Sequence, residues 1–201
     1  MMPKDKKTTK RIAIVVVAIL ACAGIGRAFY VNRWKVWPKR FAVVEPGWLY
    51  RGGQIDADLL EGLVDKYHIE AILALAWLRP NRPDEAAELA LVRGRNLDFE
   101  TIPMPGNGAA DFDKLDEAAD WIEAHHGHPI FVHCAAGVNR TGAAIVAYRV
   151  KHCGWALQEA LAEARRFGMR DRRGELTEHL IRYYKEHLPL SIRLGQGSGT
   201  D

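Results

Sequence analysis

Residues 129–142 read PIFVHCAAGVNRTG and constrain the fold of this chain more than any other stretch. The apolar run 130–133 is long enough for a buried strand, and residues 141–148, TGAAIVAY, read as a packed helix. A strand that passes through a loop of small residues into a helix turns backbone N–H groups toward one point. The helix start adds its unpaired donors and the positive end of its dipole. Gly137 permits the left-handed backbone that such an inward turn requires. The unit predicts an anion site at the carboxyl end of a central strand.

Cys134 and Arg140 stand at the two ends of this loop. Beside a helix N-terminus and a guanidinium, a thiol loses its proton near neutral pH, and the thiolate is the nucleophile. The planar fork of Arg140 matches two phosphate oxygens. The phosphate-binding set is then Ala135, Ala136, Gly137, Val138, Asn139, Arg140 and Thr141, with the Thr141 hydroxyl directed at the sulfur. His133 is expected to shape the loop by hydrogen bonding. Outside this context, Cys134 would be a small buried hydrophobe beside an unrelated arginine.

His133, Cys134, Gly137, Arg140, Thr141 and Gly142 occupy every fixed position of a known string, His-Cys-x-x-Gly-x-x-Arg-(Ser/Thr)-Gly. The chain resembles the protein tyrosine phosphatase superfamily in this string. The stretch FAVVEPGWLYRGGQ, from residue 41, is similar to the opening hairpin of bacterial and plant-fungal atypical dual-specificity phosphatases. The resemblance runs from about residue 41 to about 187. It implies a cysteine-phosphatase fold, an α/β layer structure whose central mixed sheet of about four to five strands carries helices on both faces. It also implies hydrolysis of phosphate monoesters through a phosphocysteine, without metal or other cofactor.

The leaving oxygen of an ester needs a proton, and a carboxylic acid on a mobile loop is the usual donor. The family often carries an aspartate soon after the preceding strand, but Gly106 stands at that place here. Asp111 is the nearest carboxylate downstream and is read in two ways, as general acid and as the N-cap of the helix that follows. Asp113, Asp98 and Glu100 are the other candidates. Gly106 and Gly108 suit a flexible lid.

Lys6, Lys7, Lys10 and Arg11 precede an uncharged run from Ile12 to Gly26, which Arg27 interrupts before Ala28, Phe29, Tyr30 and Val31. A span needs about 20 residues, and this run reaches that length if Arg27 snorkels. Trp34 and Trp37 would then form an interfacial belt. The expected organisation is a basic tail (1–11), a single-pass anchor (12–31), a linker (32–40), a catalytic domain (41–190) and a disordered tail (191–201). A cleaved signal peptide and lipid attachment at Cys22 stay open. Basic residues flank both ends, so the membrane side is open too, with a reducing cytosol better suited to a catalytic thiol.

With 201 residues and a net charge of +3, the chain suits one domain plus a segment and gives no reason to expect nucleic acid. Three cysteines make no disulfide framework. His125, His126 and His128 lack a convergent carboxylate and suit a helix end better than a metal. Arg165, Arg166, Arg170, Arg172 and Arg173 read as a solvated, salt-linked surface, or as a recruiter of polyanions. Arg79 and Arg82 are expected in solvent. The loop interior carries no basic residue before Arg140, which favours a single phosphate. The expected partner is therefore a protein phosphorylated on tyrosine or serine/threonine, or a small phosphate monoester. A lipid or inositol phosphate, to which a membrane anchor points, is the alternative. A phosphate-binding module without turnover, and sulfur transfer as in rhodanese-like proteins, are the readings from other classes.

Overall fold

The structure is a computed structural model that describes residues 6–33 and 36–195. The first five residues of the basic tail, Trp34 and residues 196–201 of the C-terminal tail lie outside the described residues. The chain divides into two compact units, Met1–Trp37 and Pro38–Asp201.

The first unit is one helix, α1 (Lys6–Asn32). Its apolar part, Ile14–Asn32, has 19 residues and a mean hydropathy of 2.2, with none of it buried. Its length and composition fit a membrane anchor and a signal sequence alike.

The second unit is built on a five-stranded mixed sheet. The strands are β1 (Ala42–Glu45), β2 (Leu49–Gly53), β3 (Ala71–Ala74), β4 (Asp98–Thr101) and β5 (Ile130–Cys134), in the order β1-β2-β5-β3-β4. Only β1 is antiparallel to its neighbour, with an irregularity in register between Val43 and Glu45. The expected fold class holds, and the strand that ends in Cys134 is central, paired in parallel with both β2 and β3.

Alternation along the strands sorts two cores. Ile130, Val132, Cys134, Ala71 and Leu73 face one side, where they pack with α4 (Phe112–Ala124), α5 (Asn139–Lys151), α6 (Leu157–Arg166) and α7 (Glu175–Arg182). Phe131, Ile72 and Tyr50 face the other, against α2 (Ala57–Tyr67) and α3 (Pro83–Gly94). Strands covered on both faces need the unbroken apolar runs seen at 71–75 and 130–132. Ten consecutive residues of α5, from Thr141 to Val150, are buried, so this helix is the centre of its layer. A π-helical turn (Tyr183–His187) extends α7, and α8 (Leu190–Gly195) closes the described chain. Residues 191–195 are therefore helical, where a disordered tail was expected from 191.

Candidate active site

The loop that joins β5 to α5 sits at the carboxyl ends of the parallel strands. Its shape depends on three glycines. Gly137 has φ +68°, and a Cβ there would lie 2.4 Å from Gly52 C and from Gly53 N. A Cβ on Gly53 would come within 3.0 Å of Ala136 C, and one on Gly52 within 2.9 Å of the Phe131 ring. The loop therefore folds back onto bare backbone at the end of β2. On sequence alone, Gly52-Gly53 marks only the end of a strand; paired glycines inside a strand are the available signal for such close approach.

Cys134 is 1% exposed at the end of β5. Gly137 N–H donates to its Sγ at 3.2 Å. Burial pushes the thiol up, but the Thr141 hydroxyl and the N–H groups of Thr141, Val138 and Ala136 outweigh it and bring the pKa down to about 7. Thr141 Oγ1 is buried and makes no other hydrogen bond among the described residues, so its proton is available to the sulfur. Lys39, Arg51 and His133 also interact electrostatically with Cys134. A thiol half ionised at neutral pH, within a ring of donors, is equipped to attack an anionic phosphorus centre.

Arg51 is the support that sequence reading missed. It is 1% exposed on β2, and its Nη2 donates to Gly137 O at 3.2 Å and Val138 O at 3.5 Å. Holding these carbonyls outward leaves the adjacent N–H groups facing in. Its Nη1 is buried with no hydrogen-bond partner among the described residues, and its Cζ lies 5.0 Å from the Phe167 ring centroid. Burial pushes Arg51 down to about 10, against the charges of Cys134 and Glu163, which raise it. An arginine on a short strand gives no sequence signal of this burial.

His133 points to the opposite face, stacked on Phe131. Its Nε2 lies 2.8 Å from Glu88 Oε1 on α3, with both side chains 1% exposed. The pair attracts by charge and is off-axis for a hydrogen bond. Burial lowers the His133 pKa, but the Glu88 carboxylate outweighs it and holds the imidazole above its usual value.

A cavity of about 260 Å³ opens on Cys134. Arg140, Arg40, Arg170 and Gly106 line it together with Ala136, Val138 and Asn139. Arg140 Nη1 donates to Leu75 O at 3.4 Å, which ties the guanidinium to the end of β3. A neighbouring cavity of about 460 Å³ shares Arg140 and Ala135 and is walled by Trp77, Leu78, Arg79 and Pro80. Arg79 pairs with Glu85 at 3.0 Å with its side chain 55% exposed. Arg170, expected in a solvated cluster, instead faces the cavity.

Asp111 is the N-cap residue of α4, exposed, with its carbonyl accepting Lys114 N–H at 2.9 Å. Its carboxylate makes no capping hydrogen bond and does not line the cavity. Asp98 begins β4 in register with Ala71, which pairs with Ile130, so it lies at the opposite end of the sheet from Cys134. There it meets His125 Nε2 at 2.9 Å. Gly108 is a packing glycine: at φ +90° its Cβ would lie 2.9 Å from Asn139 C. His179 Nε2 donates to Ala110 O at 2.6 Å, which fastens the same loop to α7. The segment expected as a lid is thus seated on the phosphate loop. Among the described residues no group of His, Cys, Asp and Glu has the arrangement of a metal site.

Residues 50–186 match the catalytic domain of dual specificity phosphatases. Solved structures share the fold. Tk-PTP in its active form is 24% identical over 75% of this chain and 99% of its own, with a TM-score of 0.62. The core catalytic domain of the PP-IP phosphatase SIW14 from S. cerevisiae is 20% identical over 80% and 96%, with a TM-score of 0.61. TpbA from P. aeruginosa in complex with pTyr is 19% identical over 79% and 96%, with a TM-score of 0.55. The domain match takes in β5, the phosphate loop and α5 with most of the second unit, and by it the chain belongs to the dual specificity phosphatase family of cysteine-based phosphatases.

Proposed function

We propose that the chain hydrolyses phosphate monoesters with Cys134 as nucleophile and Arg140 as the transition-state cation. The Cys134 thiolate attacks phosphorus, an S–P bond forms and the P–O bond to the leaving group breaks. Arg140 and the N–H groups of residues 135–140 hold the equatorial oxygens as charge builds. We assign Asp111 as the donor to the leaving oxygen; movement of the segment around Gly106 brings its unbonded carboxyl to the cavity. Water then cleaves the S–P bond, its proton returns to Asp111, and phosphate leaves. The observation that carries this reading is the buried Cys134 thiol held at about 7 beside a cavity lined by Arg140.

Phosphotyrosine or phosphoserine/threonine proteins are the substrates favoured by a loop without interior basic residues. A lipid or inositol phosphate is the second reading, and the three arginines around the cavity favour it. The proposed organisation is an N-terminal anchor formed by α1, which gives membrane localisation, and a catalytic domain over 41–190.

The test is phosphate release from p-nitrophenyl phosphate and a phosphopeptide panel by the full chain in detergent. Wild type turns over, and Cys134→Ser is silent. Asp111→Asn loses activity on alkyl phosphates while keeping it on p-nitrophenyl phosphate, whose leaving group needs no proton. A wild-type protein that binds phosphopeptide and releases nothing overturns the enzyme reading in favour of a binding module. Thiosulfate turnover would move it to sulfur transfer.

A further inference from the structure

Three arginines reach one small space from three separate parts of the chain. Arg140 comes from the first turn of α5, Arg40 from the segment before β1, and Arg170 from the segment after α6. The residues that line this space include no carboxylate. One phosphate group matched to Arg140 and the loop N–H groups leaves the charge of two guanidiniums unanswered.

Both are built into place. Arg40 has φ +50°, a strained backbone for a side chain of its size, and its Nη1 donates to Ala136 O at 2.7 Å. The residue before it is pinned at both ends: Gly53 N–H donates to Lys39 O at 2.7 Å, and Lys39 Nζ to Ala135 O at 2.7 Å. Arg170 is fixed through its own N–H, which donates to Asn139 Oδ1 in the phosphate loop at 3.0 Å. Asp171 is the adjacent carboxylate, and it is committed elsewhere: it accepts Thr177 N–H at 2.6 Å. Burial raises its pKa, but the N–H groups of Thr177, Leu176 and Gly174 hold it below the usual carboxylate range. A second cavity, of about 380 Å³, shares Asn139 and Arg170 and continues past Arg172 and Arg173.

We propose that Arg40 and Arg170 form a second anion subsite beside the reacting phosphate, and that the substrate is a small polyol bearing two vicinal phosphates, free or as a lipid headgroup. The proposal rests on Cys134 and Arg140 holding the first phosphate. Cavity size favours the polyol over a doubly phosphorylated peptide. About 260 Å³ lies at or below the roughly 300–1,000 Å³ of ordinary ligand pockets, which suits phosphates on adjacent carbons. Same-face side chains of an extended peptide start about 7 Å apart at the backbone. The extra charge comes from outside the loop, which is why the loop's own composition pointed to a single phosphate.

The test separates binding from turnover. Cys134→Ser full chain in detergent is titrated calorimetrically with a vicinal inositol bisphosphate and with inositol monophosphate. The bisphosphate binds at least about tenfold tighter, and Arg40→Ala or Arg170→Ala in the same background removes most of that ratio. Equal affinities, or a ratio that survives both substitutions, overturn the subsite. A doubly phosphorylated peptide that shows the larger, arginine-dependent preference keeps the residues but overturns the polyol assignment. With the intact Cys134 protein, kcat/KM is then compared for the free bisphosphate and for vesicles carrying the same headgroup on a lipid, which identifies the source. If binding follows the expected pattern and no phosphate is released from any substrate, the subsite stands and the hydrolytic reading fails.

Discussion

Replacing Thr141 by valine tests how the site makes its thiolate. Thr141 is fully buried, and its hydroxyl is the largest of the influences that lower the Cys134 pKa. The thiol stands at about 7 against an ordinary 9.0, a net stabilisation of the thiolate of about 2.7 kcal/mol. A hydrogen bond to a charged group contributes about 1.5–3 kcal/mol, so its loss raises the pKa by roughly one to two units. The backbone donors, with Gly137 N–H at 3.2 Å, remain and prevent a larger rise. At pH 6 each unit lowers the thiolate fraction about tenfold. Inactivation by iodoacetamide followed from pH 5 to 10 reads the titration directly. The expected midpoint moves from about 7 to between about 8 and 9, while melting changes by only a few degrees. An unchanged midpoint in a folded variant refutes the assignment of the hydroxyl as the main donor.

Two further substitutions probe the surroundings of the loop. Gly137→Ala places a Cβ 2.4 Å from Gly52 C, so the loop must leave β2; a displacement of this kind costs about a hundredfold in kcat/KM, with the far-ultraviolet spectrum retained. Arg51→Met removes the buried cation behind the loop, and the Cys134 titration is expected to move alkaline by about one unit. A lower melting temperature with an unmoved titration would make Arg51 a packing residue only.

Much of this was legible because it is local. The run 130–134, the loop and α5 form one contiguous string, and strand, turn and helix each follow from nearest neighbours in sequence. Phe131 and His133 facing one layer while Val132 and Cys134 face the other is simple alternation. What escaped is contact between distant segments. Gly52 and Gly53 look like a strand end until Ala136 and Gly137 are laid against them. Arg40 reads as a linker cation and Arg170 as one of five solvated arginines, because nothing in either neighbourhood specifies that both meet Cys134. Asp111 shows the reverse case: the N-cap is the local reading and is what the structure displays, while a catalytic role depends on a movement that no local pattern encodes.

The same thiol makes stability depend on pH, and the sign is fixed by the direction of its shift. In the folded chain Cys134 titrates at about 7 and in the unfolded chain at its ordinary 9.0. Below pH 7 both states hold the proton and the group contributes nothing. Between pH 7 and 9 the folded state has released the proton that the unfolded state still binds. Stability therefore rises at about 1.4 kcal/mol per pH unit and reaches about 2.7 kcal/mol above pH 9. His133 acts in the opposite sense, since its pKa is raised by Glu88: its contribution is complete below the unfolded value of 6.5 and is lost as pH climbs through the folded value. Urea titrations of wild type and Cys134→Ser at each pH separate the two, because His133 and Glu88 are common to both proteins. The expected difference grows from near zero at pH 6 to its full size above pH 9. A difference that stays flat across this range would mean that burial and the loop donors cancel, and that the free enzyme holds a thiol rather than a thiolate at neutral pH. In that case the substrate's arrival, and not the empty loop, would have to draw the proton away.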